Sequence, residues 1–79
     1  MDIRFTQSAR KHRIGKQRVL FLLANNEPLT FTGEDLDEDT IVWIGKDDRG
    51  LELEVIAIRT SSGILIIHVM PLNFRKGKR

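Results

Sequence analysis

The side chains best suited to chemistry in this chain are its cations and two histidines. They are bunched rather than scattered: Arg10-Lys11-His12-Arg13, then Lys16 and Arg18, and much later Arg59, His68, Arg75 and Lys76. An imidazole titrates near ~6.5, so it can take or give a proton at neutral pH. Fixed positive charge stabilises the oxygens of a phosphoryl group as negative charge grows on them. Combined, these groups could cleave an RNA backbone without metal: one draws the 2′-hydroxyl proton, another protonates the leaving oxygen, and cations surround the phosphate. Positioned acid–base groups contribute roughly 10² to 10⁴-fold to such a step.

Each candidate also has a plainer reading. At 100° per residue His12 shares a helix face with Ala9 and packs at the core edge. Strand alternation sets His68 beside Ile64, Ile66 and Met70, as a satisfied buried histidine. Arg59 stands at a strand end and pairs with an acid, and the basic run 10–18 is a solvated face. Trp43, the sole tryptophan, is a core residue or a stacking platform for a base.

Other chemistries find no support. A Gly-rich phosphate loop, a nucleophile elbow and paired histidines at ligand spacing are all missing, as is the D-x-D-x-D-G pattern of a calcium loop. There is no cysteine for a disulfide or thiolate metal site. No metal and no cofactor are expected.

The net charge of +2 conceals a strong asymmetry. Residues 1–18 carry six cations against Asp2. Residues 27–54 carry ten acids against Lys46 and Arg49, and the remainder carries five cations and no acid. Basic segments of this kind concentrate nucleic acids or acidic proteins around them. The first residues turn charged within four positions, and the apolar runs Val19 to Ala24 and Ile64 to Ile67 are far shorter than the roughly 20 residues of a membrane span. A cytoplasmic protein without membrane contact is expected.

The elements that position these residues are read from periodicity and punctuation. Asp2 to Thr6 alternates as a half-buried strand. Thr6 or Ser8 caps a short helix through Arg13, which Gly15 interrupts. A second helix, Lys16 to Asn25, gathers Val19, Leu22 and Leu23 on one face and ends at Asn25, Asn26 and Pro28. Leu29 to Thr32 is a short strand before an acidic loop, Gly33 to Asp39. Thr40 to Gly45 is a strand, Asp47-Asp48-Arg49-Gly50 a hairpin turn, and Leu51 to Thr60 the returning strand. Ser61-Ser62-Gly63 turns into Ile64 to Met70, the most apolar strand, which Pro71 stops. Residues 71–79 read as a basic tail on a single domain, 1–79. The expected fold is α+β, ordered β-α-α-β-β-β-β, with two helices packed on an antiparallel sheet of about four strands. Val19, Leu22, Leu53, Val55 and Ile66 form its core.

Lys11-His12-Arg13-Ile14 followed by a helix resembles the Lys-His-Gly-Ile/Val element of the BrnT-like toxins, part of the wider RelE/ParE group. Ile44-Gly45, Leu53-Glu54-Val55 and Gly63-Ile64-Leu65-Ile66-Ile67 resemble that family's closing strands. The resemblance spans residues 3 to 72 and implies a RelE-like fold and an endoribonuclease that halts translation, acting on RNA that is free or ribosome-bound. It also implies a cognate antitoxin protein encoded beside the gene. The motif match carries Lys11 and His12 into the catalytic site. Arg59 and His68 join them there, and Arg10, Arg13, Lys16, Arg18, Arg75 and Lys76 bind RNA. The chain departs from the family where arginines would stand in the last strand; it reads Leu65-Ile66-Ile67-His68-Val69-Met70-Pro71-Leu72 and has no tyrosine. Two alternatives stay open: a non-enzymatic module of the same fold that binds nucleic acid or acidic protein, and a ParE-like gyrase inhibitor.

Overall fold

The structure, a computed structural model, describes residues 2–29 and 39–72. It is α+β: β1 (Asp2–Phe5), a 3₁₀ turn (Ser8–Arg10), α1 (Lys16–Asn25), β2 (Thr40–Lys46), β3 (Glu52–Arg59) and β4 (Gly63–Pro71). The four strands form one sheet in the order β1-β4-β3-β2.

The sheet is mixed rather than antiparallel. β2–β3 and β3–β4 are hairpins, but β1 lies parallel to β4, with Ile3 opposite Ile64 and Phe5 opposite Ile66. The long excursion between β1 and β4 allows this direction, which no tight turn could supply. Gly63 makes the approach possible, because a Cβ there would collide with the carbonyl oxygen of Asp2. Leu29 forms an isolated bridge to Val42. The rest of the expected strand 29–32 and the acidic loop through Glu38 lie outside the described residues.

The first expected helix is only one 3₁₀ turn. The Thr6 hydroxyl accepts from the Ala9 amide at 3.2 Å and donates to the Ile66 carbonyl at 3.3 Å. The amides of Ala9, Arg10, Lys11 and Arg13 all reach back three residues, and Arg13 then turns to φ 59°. That left-handed backbone ends any right-handed helix. Only Ala9 of the turn is buried, so little apolar burial favours a longer winding. His12 therefore shares no helix face with Ala9; it lies half-buried in the connection to α1.

α1 occupies the expected span. Val19 and Leu22 are fully buried against Leu53, Val55, Ala57, Ile66 and Val69, with Ala9, Ile14, Ile41, Trp43 and Ile64 closing the cluster. Asn25 and Asn26 donate from their side-chain amides to the carbonyls of Phe21 and Leu22, satisfying the last turn.

A second difference lies in β4. Ile56 pairs with His68 but Ala57 pairs with Ile66, so Ile67 is an extra residue in the strand. Such a bulge reverses the facing of everything beyond it. Ile64 and Ile66 point to the helix-covered core, and after the bulge Val69 does so instead. His68 and Met70 are thus on the opposite face from Ile64 and Ile66, contrary to simple alternation. Pro71 also belongs to β4, opposite Leu53. β1 has ended by then, so β4 has one neighbour and the missing N–H costs it no second ladder.

Candidate nucleic-acid interface

The N-terminus of α1 is where the cations converge. Gly15, extended at φ −65° and ψ 154°, starts the helix without a side-chain cap, and no acid occupies the first turn. Its carbonyl accepts from the amides of Arg18 and Val19. The amides of Lys16 and Gln17 have no acceptor among the described residues, which leaves a partial positive charge at the helix end.

Arg13, Lys16 and Arg49 border an open cleft there of about 680 Å³, together with Gly15, Gln17, Arg18 and Asp48. Lys16 extends over Phe5, its Nζ 5.6 Å from the ring centroid. Arg13, Lys16 and Arg49 form no ion pair among the described residues.

Asp47 holds the two halves of this cleft together. One carboxylate oxygen accepts from the amides of Arg49 at 2.8 Å and Leu51 at 2.9 Å; the other accepts from Arg18 Nε and Nη2, each at 2.7 Å. The Asp47 side chain is fully covered. Burial by itself would raise its pKa, but the two amides and the Arg18 guanidinium outweigh that and hold the carboxyl below its ordinary value. The turn 47–50 is closed by Gly50, whose amide donates to the Asp47 carbonyl and whose φ of 85° suits glycine. Arg49 is thereby fixed beside the start of α1. Neither Asp47 nor Arg49 stood among the expected site residues; the only clue was the Asp-Asp-Arg-Gly turn, where a first-position Asp bonds its own backbone two residues on.

The expected site residues are divided by the fold. Arg13 and Lys16 meet in the cleft, and Arg10 and Lys11 are exposed in the turn leading to it. Arg18 reaches the cleft but its guanidinium is committed to Asp47, so it positions rather than binds. The 3₁₀ turn before Lys11 and His12 packs on β4, the strand that carries His68. His68 Nε2 lies 3.2 Å from Glu54 Oε1, a contact across the sheet face that α1 leaves open. Arg59 is separated from these groups: it stands five residue steps along β3 from Glu54, about 17 Å at roughly 3.3 Å per step. It borders a different, apolar groove at the other end of α1. Arg75 and Lys76 lie outside the described residues.

Chemically, the cleft offers an anionic group two unpaired amides and three cations, a combination suited to phosphate. The described residues contain no cluster of three or more potential metal-ligating side chains and no helix long and apolar enough to cross a membrane. Comparison with protein-family models, curated proteins and solved structures returns no match.

Proposed function

We propose that this chain is a RelE/ParE-type toxin that grips RNA at the start of α1 and cleaves it with groups from the adjoining turn. The convergence of Arg13, Lys16 and Arg49 on an uncapped helix N-terminus carries this reading. Backbone geometry adds to it. In the toxin element that Lys11-His12-Arg13-Ile14 resembles, glycine stands where Arg13 does. Arg13 is the one non-glycine residue with positive φ among the described residues, so a glycine-like conformation is kept here under a cationic side chain. Lys11 and the cleft cations stabilise the phosphoryl oxygens and His12 transfers a proton; His68, paired with Glu54 on the sheet face away from α1, stands apart from this cleft. Arg59 has no part in the reaction. An antitoxin encoded nearby silences the protein by covering this basic end.

A second reading, binding without cleavage, is favoured by the departure of Arg59 from the reacting set. One experiment separates the two. Binding and cleavage of a labelled single-stranded RNA are measured for the unmodified protein, Lys11→Ala, His12→Ala and the Lys16→Ala/Arg49→Ala double variant. The toxin reading expects cleavage that falls by roughly 10² to 10³-fold in Lys11→Ala and His12→Ala with binding retained. It expects lost affinity in the double variant. Binding without cleavage, on free or ribosome-bound RNA, selects the second reading. Absence of RNA binding removes both.

A further inference from the structure

At the end of α1 remote from the basic cleft, the helix and the sheet leave a groove of about 510 Å³. Leu20, Leu23 and Ala24 form its helical wall, and Ile41, Trp43 and Ile64 belong to the sheet side. Among the described residues, Arg59 is the single charged one bordering it. The Arg59 amide is held by the Asp39 carbonyl at 2.8 Å, while its guanidinium forms no ion pair among the described residues.

We propose that this groove is a binding site for a small amphiphilic carboxylate, an acyl or aryl chain with one terminal anion. The volume falls in the range of small-ligand pockets, which are mostly apolar with few polar groups fixing orientation. Apolar walls exclude a multiply charged ligand such as a nucleotide, because its charges would be desolvated without partners. They admit a hydrocarbon body, and Leu20, 39% exposed at the rim, would be covered by it. The polar end is then decided by charge: the Arg59 guanidinium attracts an anion, and its planar fork matches a carboxylate with two parallel hydrogen bonds. A cationic or neutral head group gains nothing comparable. This site is independent of the RNA reading, since it shares no residue with the cleft.

Trp43 is the only tryptophan in the chain and borders the groove, so its fluorescence reports occupancy directly. The probes are decanoate, decanol and decyltrimethylammonium, titrated into the full chain below their aggregation thresholds. Decanoate is expected to give a saturable change, with decanol at least tenfold weaker and the cation weaker again, the scale of one charge-assisted contact. Arg59→Gln should bring decanoate down to the decanol affinity. Ala24→Phe, at an exposed helix position, should abolish binding of all three while far-UV circular dichroism and RNA binding stay unchanged. Equal affinity for decanoate and decanol, a signal that never saturates, or decanoate binding unaltered by Arg59→Gln would overturn the proposal. So would saturation by a peptide pairing leucine with a terminal glutamate where decanoate gives none, which would make the groove a protein-docking surface.

Discussion

Two residues hold conformations or charges that the rest of the fold must support, and each yields a measurable expectation. Arg13 sits at φ 59°, where a residue with a Cβ costs about 1–2 kcal/mol. Glycine would relieve that, so Arg13→Gly is expected to raise stability by about 1 kcal/mol and the melting temperature by about 5 °C. Its RNA affinity should fall at the same time, because a cation leaves the cleft. A thermal melt alongside an anisotropy titration checks both, and gain in stability without loss of affinity would deny Arg13 a binding role. Asp47 is the opposite case, a buried acid satisfied on both oxygens. Removing one member of such a pair costs about 3 kcal/mol, so Asp47→Asn should be clearly less stable at pH 7. The carboxyl's folded pKa lies below its ordinary value, so its contribution is fully present above the unfolded value and disappears as pH falls through the folded one. Melting temperatures of the two proteins should therefore converge as pH falls through and below the ordinary carboxylate range. A constant difference over that range would show that ionisation of Asp47 is not what stabilises the turn.

At the scale of elements, β1 depends on one glycine. Gly63 lies opposite Asp2 with no room for a Cβ, so Gly63→Ala must push β1 off β4. A loss of about 2–3 kcal/mol is expected, and hydrogen exchange should show the amides of β1 and Thr6 losing protection before those of α1. How far these elements were legible follows the range of the interactions that set them. The bounds of α1 were legible because Gly15 before it and Asn25, Asn26 and Pro28 after it act within a few residues. The hairpin at 47–50 was legible for the same reason, and so was a core of Val19, Leu22, Leu53, Val55 and Ile66. The parallel placement of β1 was not, because it joins residues about sixty positions apart and leaves no mark in local periodicity. The face of His68 was misjudged because alternation assumes an unbroken ladder, and the extra residue at Ile67 shifts the count by one. The clasp between Arg18 and Asp47 spans 29 positions, so from sequence alone Arg18 read as a free cation.

For the whole molecule, the proposed function requires a chain with a net charge of only +2 to hold a polyanion. The cations at residues 10–18 are brought, by the winding from β1 into α1, to the end of the molecule where the β2–β3 hairpin presents Arg49. The clasp at Asp47 consumes one acid of the middle segment by burying it, which leaves Asp48 as the acid at the cleft. Binding should therefore be local, electrostatic and sensitive to salt. If Arg13, Lys16 and Arg49 each contact one phosphate of a single strand, the logarithm of affinity should fall against the logarithm of salt concentration with a slope of about −2. Removing Lys16 and Arg49 together should flatten that slope by about 1.4, two contacts at roughly 0.7 each. Replacing Arg59 should leave it unchanged, since that side chain borders the groove at the opposite end of α1. A slope that Arg59→Gln reduces as much as Lys16→Ala does would mean that RNA runs the length of the helix, and the division of the molecule into a basic end and an apolar groove would fall with it.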